Sequence, residues 1–312
     1  MPGTRRHAQR MQVLWLALLI CPLLTAPMNA ISQENTLRFK HYSIDDGLSH
    51  SKVNCIFHDQ RGYKWFGTNE GLNRFDGYHF TAYRYNPHIS ANLSANLIRW
   101  IAQDRQNRLA IATEAGGLNI YDPKTDSFQA LTPAPSSPVR ISHADVNCVL
   151  IDSSGTIRLA TGHGLDRLQG DTVQNFLPWP EARADDNRNY ITVLHEDQHH
   201  VLWAGTAGNG LMRFDRRTLT FSEEQKAINA RYGLAREGIR SIHKDRQGHL
   251  WVGTNDLGLG LYDRENRSWR FFQPAPHDPE SKTIRAILDD GKGNLWIGNR
   301  AGLYLFDRMQ HT

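Results

Sequence analysis

One pattern recurs six times along this chain of 312 residues, and it constrains the fold more than any other feature. Aligned on Trp65, Trp203, Trp251 and Trp296, the pattern passes through Ala110 and Arg158 as degenerate copies, at intervals of 45, 48, 45, 48 and 45 residues. Six positions before each slot stands an aspartate: Asp59, Asp104, Asp152, Asp197, Asp245 or Asp290. Twelve before it stands a β-branched residue: Val53, Ile98, Val146, Ile191, Ile239 or Ile284. Two after it stands Gly67, Ala112, Ala160, Gly205, Gly253 or Gly298. A period of about 46 residues belongs to helical arrays or to propeller blades.

Local chemistry separates the two. Each copy holds a β-branched run such as VNCIF or IRSIH, a DxxG turn, an alternating run such as YKWFGT or HLWVGT, a third run such as GLNRFD or GLYLFD, and an aromatic-rich run such as HFTAYRY or SWRFF. Four short strands with Gly, Asn and Asp at the reversals fit, and no copy has room for helices at a 3.6-residue period. The expected fold is all-β: a β-propeller of about six four-stranded blades, or an incomplete seven-bladed ring. The sixth copy ends after its third strand, at Asp307, so the segment 37–43, LRFKHYS, is expected to complete the last blade and hide its edge. Residues 133–138 read as an exposed loop between blades and residues 171–189 as a longer one.

The start of the chain reads differently. Arg5, Arg6 and Arg10 precede an apolar stretch from Val13 to Leu24 and then the small residues Ala26 and Ala30. This is the pattern of a secretory signal peptide, so residues 1–30 are assigned to export and residues 31–312 to an exported β-propeller sensor domain. Over the whole chain 36 Lys and Arg face 32 Asp and Glu. Removing three arginines leaves a near-neutral protein with no sequence-independent attraction to phosphate backbones, so nucleic acid is excluded as a partner. Cys55 and Cys148 occupy the same slot of different copies, so they are expected to be separate buried thiols.

The recurring letters have structural jobs. Asp59, Asp245 and their equivalents accept bonds from the amides of their own turns, and Trp65, Trp203, Trp251 and Trp296 supply the apolar surface between sheets. Variable positions remain for recognition. Strand one starts, and the turn between strands two and three closes, on the same face, so their residues should converge on the channel mouth. The slot after the β-branched residue holds Asn54, Arg99, Asn147, Thr192, Arg240 and Arg285, and Trp100 stands next to Arg99. The turns contribute Asn69, Glu70, Glu114, His163, Asn209, Asn255, Asp256 and Arg300. Guanidinium forks with amides and an aromatic suit an acidic or hydroxyl-rich solute; the same arginines also suit ion pairs with acids of neighbouring blades. His58, His199 and His200 read as turn residues. No catalytic residue, metal site or cofactor is expected.

These residues resemble the two-component regulator propeller repeat, in phrases such as IDDGLSHSKVNCIFHDQRGYKWFGTNEGLNRFDGYHFTAY and GIRSIHKDRQGHLWVGTNDLGLGLYD. The resemblance covers residues 37–307 and implies a periplasmic sensor domain of a histidine kinase or diguanylate cyclase. It implies a small-molecule or oligosaccharide ligand, a membrane-bound kinase or cyclase output domain as partner, and a homodimeric full-length receptor. The chain would then be either a fragment lacking membrane and output domains or a stand-alone binding propeller. Two other classes compete: a propeller glycosidase or polysaccharide lyase, for which Glu70, Glu114 and Asp256 are the upper-turn carboxylates, and a protein-interaction scaffold.

Overall fold

The structure, a computed structural model, describes residues 40–89, 91–183, 187–308 and 310. The compact unit Tyr42–Thr312 is a β-propeller of six antiparallel sheets, each meandering outward in chain order. Blade 1 comprises β1 (Val53–His58), β2 (Lys64–Thr68), β3 (Gly71–Phe75) and β4 (Phe80–Tyr83). Blade 2 comprises β5 (Ile98–Gln103), β6 (Leu109–Thr113), β7 (Gly117–Asp122) and β8 (Ser127–Leu131). Blade 3 comprises β9 (Val146–Ile151), β10 (Ile157–Thr161), β11 (Gly164–Gln169) and β12 (Thr172–Phe176). Blade 4 comprises β13 (Ile191–Glu196), β14 (Leu202–Thr206), β15 (Leu211–Asp215) and β16 (Thr220–Phe221). Blade 5 comprises β17 (Ile239–Lys244), β18 (Leu250–Thr254), β19 (Leu259–Asp263) and β20 (Ser268–Phe272). Blade 6 has three described strands, β21 (Ile284–Asp289), β22 (Asn294–Asn299) and β23 (Leu303–Asp307).

The repeat letters build one interface five times over. Trp65 packs edge-on against Tyr121 of the next blade with ring centroids 5.2 Å apart, and Trp203 and Trp251 meet Tyr262 and Phe306 in the same way at 5.7 Å. Glycine on the second strand seats the β-branched residue that opens the following blade. A Cβ on Gly67 would stand 2.6 Å from Ile98 Cγ2, and one on Gly205 would stand 2.8 Å from Ile239 Cγ2. Ile98, Val146, Ile191, Ile239 and Ile284 are accordingly fully buried. Buried apolar area of this kind is the main stabilising term.

The ring does not close in the same way between blades 6 and 1. Inner strands pack in series, β1 on β5, β5 on β9, β9 on β13, β13 on β17 and β17 on β21, with no comparable packing of β21 on β1. Gly298, the equivalent of Gly67, has only Ala286 of its own blade near the Cβ position. Val53 is only half-buried. Leu288, Leu303 and Leu305 on one side and Ile56 on the other are at least half exposed, whereas the Ile56 equivalents Ile101, Val149 and Leu194 are buried. Among the described residues, then, the six blades pack as an arc with a seam between blade 6 and blade 1.

Other expectations meet the structure as follows. The export signal at 1–30 and the start of the closing strand, 37–39, lie outside the described residues. Residues 40–43 are not strand, and Tyr42 packs on Phe75 and Phe80 of blade 1, at 5.1 and 5.7 Å. Residues 171–189 are not simply a loop: Thr172–Phe176 is the outer strand of blade 3, paired with β11. Its alternation is weak because three of its five residues, Thr172, Gln174 and Asn175, are polar and exposed. In blade 4 the outer strand is cut to two residues by helix α1 (Glu223–Arg231). Here local propensity wins: Ser222 caps the helix by accepting from the Gln225 amide, and EEQKAINAR is rich in helix formers. Asn229 docks it on blade 4 by donating to the Leu211 and Asn209 carbonyls, at 2.8 and 3.0 Å. His58 ends strand β1 rather than sitting in a turn, while His199 and His200 occupy the turn after Asp197. Cys55 and Cys148 are unpaired, and burial pushes both thiols up to about 12.

The aspartates tie turn, tryptophan and neighbouring blade together. Asp59 accepts from the Arg61 and Tyr63 amides at 2.9 Å and from the Trp65 indole at 2.9 Å. In blade 3, where the tryptophan is lost, Arg158 Nε supplies the same bond to Asp152 at 2.8 Å. An arginine from the following blade then completes three of these sites. Arg216 reaches Asp152 at 3.4 Å, Arg264 reaches Asp197, and Arg308 reaches Asp245 at 3.0 Å. Burial alone would raise the Asp197 carboxyl, but the Val201 amide, the Trp203 indole, the His199 amide and Arg264 outweigh it and hold the carboxyl below its usual range. Asp152 and Asp245 are lowered likewise. A carboxyl lowered by folding contributes stability that is present above its unfolded pKa, about 4, and is lost as pH falls through the folded value. The carboxylate contribution to the melting temperature is therefore expected to hold from pH 7 to about 5 and to be lost progressively below pH 4, beneath a separate decline that starts below about pH 6.5 because burial lowers the pKa of His195 and His243. Thermal denaturation across that range checks it; an unchanged melting temperature at pH 3 would count against these carboxylates as inter-blade ties.

Candidate functional site

Six inner strands bring their first residues to one end of the channel, where a cavity of about 560 Å³ opens. Its wall includes Asn54, Asn69, Arg99, Trp100, Glu114, Asn147, Thr192, Arg240 and Arg285. The structure thus gathers residues of strand one and of the upper turns from different blades around one mouth. Lys52, Asn187 and Tyr190 join them and were not singled out from sequence, although Lys52 and Tyr190 hold the position just before the β-branched residue.

The polar slot divides into two kinds of residue. Asn54, Asn147 and Thr192 each donate to the carbonyl of the β-branched residue of the following blade, Ile98, Ile191 and Ile239, at 3.0, 2.7 and 2.5 Å. These three side chains bind blade to blade. The three arginines do not. Arg99 pairs with Glu114 of its own blade at 2.6 Å, and Arg240 Nε donates to Asn255 of its own blade at 2.7 Å. Among the described residues, these arginines form no ion pairs with neighbouring blades of the kind the sequence also allowed; that task falls to Arg216, Arg264 and Arg308, each just after a third-strand aspartate.

The upper-turn candidates are scattered by comparison. Asn69 and Glu114 line the mouth, and Asn255 reaches it through Arg240. Glu70, His163, Asn209, Asp256 and Arg300 are not part of its wall. Arg300 lies 3.7 Å from Glu280, the His163 carbonyl accepts from Asn175, and the Asp256 amide donates to Glu237.

The electrostatics are one-sided. Lys52, Arg99, Arg240 and Arg285 line the mouth against a single carboxylate, Glu114. The pKa of Arg240 is lowered by burial and then by the positive charges of Arg285, Arg300 and Arg99. Trp100 is 37% exposed, and the Tyr190 hydroxyl donates to Asn147 at 3.0 Å, so an aromatic face and a fixed phenol border the charges. An arrangement of crowded guanidinium groups beside aromatic surface can bind an anion and stack a ring. Among the described residues, no group of three His, Cys, Asp or Glu is placed to hold a metal ion.

The fold and this mouth define a β-propeller with a cationic channel entrance. Residues 233–256 and 279–301 match the family model described as two component regulator propeller. A stretch of 63 residues is 44% identical to Histidine kinase P4 of Formosa agariphila, covering 20% of this chain and 5% of that protein. Two similar structures are extracellular domains from B. thetaiotaomicron, one of a one component system and one of a hybrid two component system. The first has a TM-score of 0.67 at 19% identity, covering 88% of this chain and 37% of that one. The second has a TM-score of 0.53 at 23% identity, covering 85% and 41%. Virginiamycin B lyase from Staphylococcus aureus shares the fold at TM-score 0.59 and 12% identity, covering 82% and 80%. The chain spans about two fifths of the length of those extracellular domains. Among the described residues no helix is long and apolar enough to cross a membrane.

Proposed function

We propose that this chain is the ligand-sensing propeller of a bacterial signal-transduction receptor, acting in the periplasm, and that it binds an anionic, hydroxyl-bearing solute at the channel mouth. The observation that carries this reading is the cluster of Arg240 and Arg285 beside Trp100, with Glu114 already engaged by Arg99. The family repeat and the relative named as a histidine kinase support a signalling context, with a membrane-bound kinase or cyclase as the output partner. A binding role fits the mouth better than hydrolysis of glycans. Glycoside hydrolysis takes two carboxylates at a set separation, and the described wall of the mouth offers one, held in an ion pair at 2.6 Å.

Galacturonate, a carboxylated sugar, serves as the probe. Arg285→Ala is expected to weaken its binding to the full chain about tenfold, the size of one lost charge-assisted bond, measured by isothermal titration calorimetry. Unchanged affinity in Arg285→Ala would overturn the assignment of the mouth.

A further inference from the structure

The mouth leads down into the channel between the inner strands. A cavity of about 830 Å³ lies there, and Asn54, Trp100, Arg240 and Arg285 line both it and the mouth, so the two are continuous. Polarity changes in layers along the strands. Two positions below the polar slot, a drop of about 7 Å, each of the six blades gives one aliphatic side chain to the wall: Ile56, Ile101, Val149, Leu194, Ile242 and Ile287. Four positions below the slot, a drop of about 13 Å, His58 and Gln103 bring polar groups back. Gln103 accepts from the Gln60 amide at 3.0 Å, while its side-chain nitrogen is buried and has no hydrogen-bond partner among the described residues.

A cavity of this size, mostly apolar with a few convergent polar groups, is the usual form of a small-molecule site. Water finds few partners against an aliphatic collar, so an apolar body that displaces it is favoured. A sugar acid, hydroxylated all round, would satisfy the arginines and leave the collar unused. Trp100 selects among apolar bodies. It stands at the junction of mouth and channel, and its partly exposed indole favours a flat ring over a flexible alkyl chain. A ring on a short spacer, hydrogen-bonded at each end, spans the layers from the arginines to Gln103.

We propose that the ligand class is a hydroxylated aromatic carboxylate, its carboxylate held by Arg240 and Arg285, its ring passing Trp100 into the aliphatic collar, and its hydroxyl accepting from Gln103. This rests on the reading of the mouth as an anion site. The probe is para-hydroxycinnamate, with cinnamate, octanoate and galacturonate as comparisons. Calorimetry on the full chain should show para-hydroxycinnamate binding about tenfold or more tighter than galacturonate, and tighter than octanoate or cinnamate. Two variants leave every mouth residue in place. Ala286→Trp fills part of the channel from an exposed position just below Arg285, and should erase the gain over galacturonate. Ile56→Gln makes one collar position polar where the native side chain is 66% exposed and contributes little to the fold, and should weaken para-hydroxycinnamate about threefold. Galacturonate binding should be unchanged in both. A gain that survives Ala286→Trp, no gain over galacturonate, or octanoate binding as tightly overturns the channel assignment while leaving the mouth intact. Cinnamate binding as tightly as para-hydroxycinnamate overturns the contact with Gln103. Failure of every probe to bind, or an Arg285→Ala variant that weakens none of them, overturns the mouth itself.

Discussion

Trp251→Ala is expected to cost about 3–5 kcal/mol of folding stability, and Trp296→Ala far less, although both tryptophans hold the same slot of the repeat. Trp251 is 2% exposed and is enclosed by Phe272 of its own blade and Phe306 of the next, and its indole donates to Asp245 at 2.9 Å. Truncation leaves a cavity among side chains that cannot collapse, and it removes a donor from a carboxylate whose side chain is fully buried. Trp296 faces the seam, is only half-buried, and has the exposed Leu303 and Leu305 beside it. Chemical denaturation of both variants checks the contrast. Equal losses would mean that the Trp296 face is covered in solution as the Trp251 face is.

A second pair of variants isolates the seat between blades. Gly205→Val should abolish the stable fold or lower its melting temperature by about 2–12 °C, since overpacking costs on the order of 1–3 kcal/mol and each kcal/mol is worth about 2–4 °C in a chain of this size. A Cβ there meets Val193 Cγ1 at 2.6 Å and Ile239 Cγ2 at 2.8 Å, both on buried strands that have no room to retreat. Gly298→Val adds its side chain opposite Ala286 Cβ at 3.5 Å and nothing else, so its effect should stay within about 0.5 kcal/mol. Thermal melts monitored by far-UV circular dichroism separate the two outcomes, and a destabilised Gly298→Val would show the seam to be packed.

Much of this was legible from residue types at fixed spacing. Radial sheets repeat their environment, so a glycine that seats an isoleucine, or an aspartate that caps a turn and takes an indole, is written once per blade. That is why strand order, the role of Asp59 and Asp245, and the convergence of Arg99, Arg240 and Arg285 on one mouth could be read from sequence. Three things were hidden. Helix α1 occupies the place of an outer strand, which makes few packing demands and so lets Ser222 and its helix-forming neighbours decide. Asn54, Asn147 and Thr192 looked equivalent to the arginines because all are polar, but short side chains reach only the next backbone carbonyl while guanidinium groups extend into the mouth. The inter-blade arginines were missed because Asp-Arg at the ends of the third strands, in Asp215 and Arg216, Asp263 and Arg264, and Asp307 and Arg308, is present in only three of the six copies.

Because the described blades pack in series, with no comparable packing of blade 6 on blade 1, a disturbance in one passes to the others along that series. Stability in such an array is governed by neighbours, and its two end sheets have one neighbour each, so they are the places where unfolding begins. Lys52 stands on the first of these end sheets and Arg285 on the last, and both border the channel mouth. An anion gripped by both would act as a clasp between the two end sheets, and would turn occupancy directly into mechanical coupling.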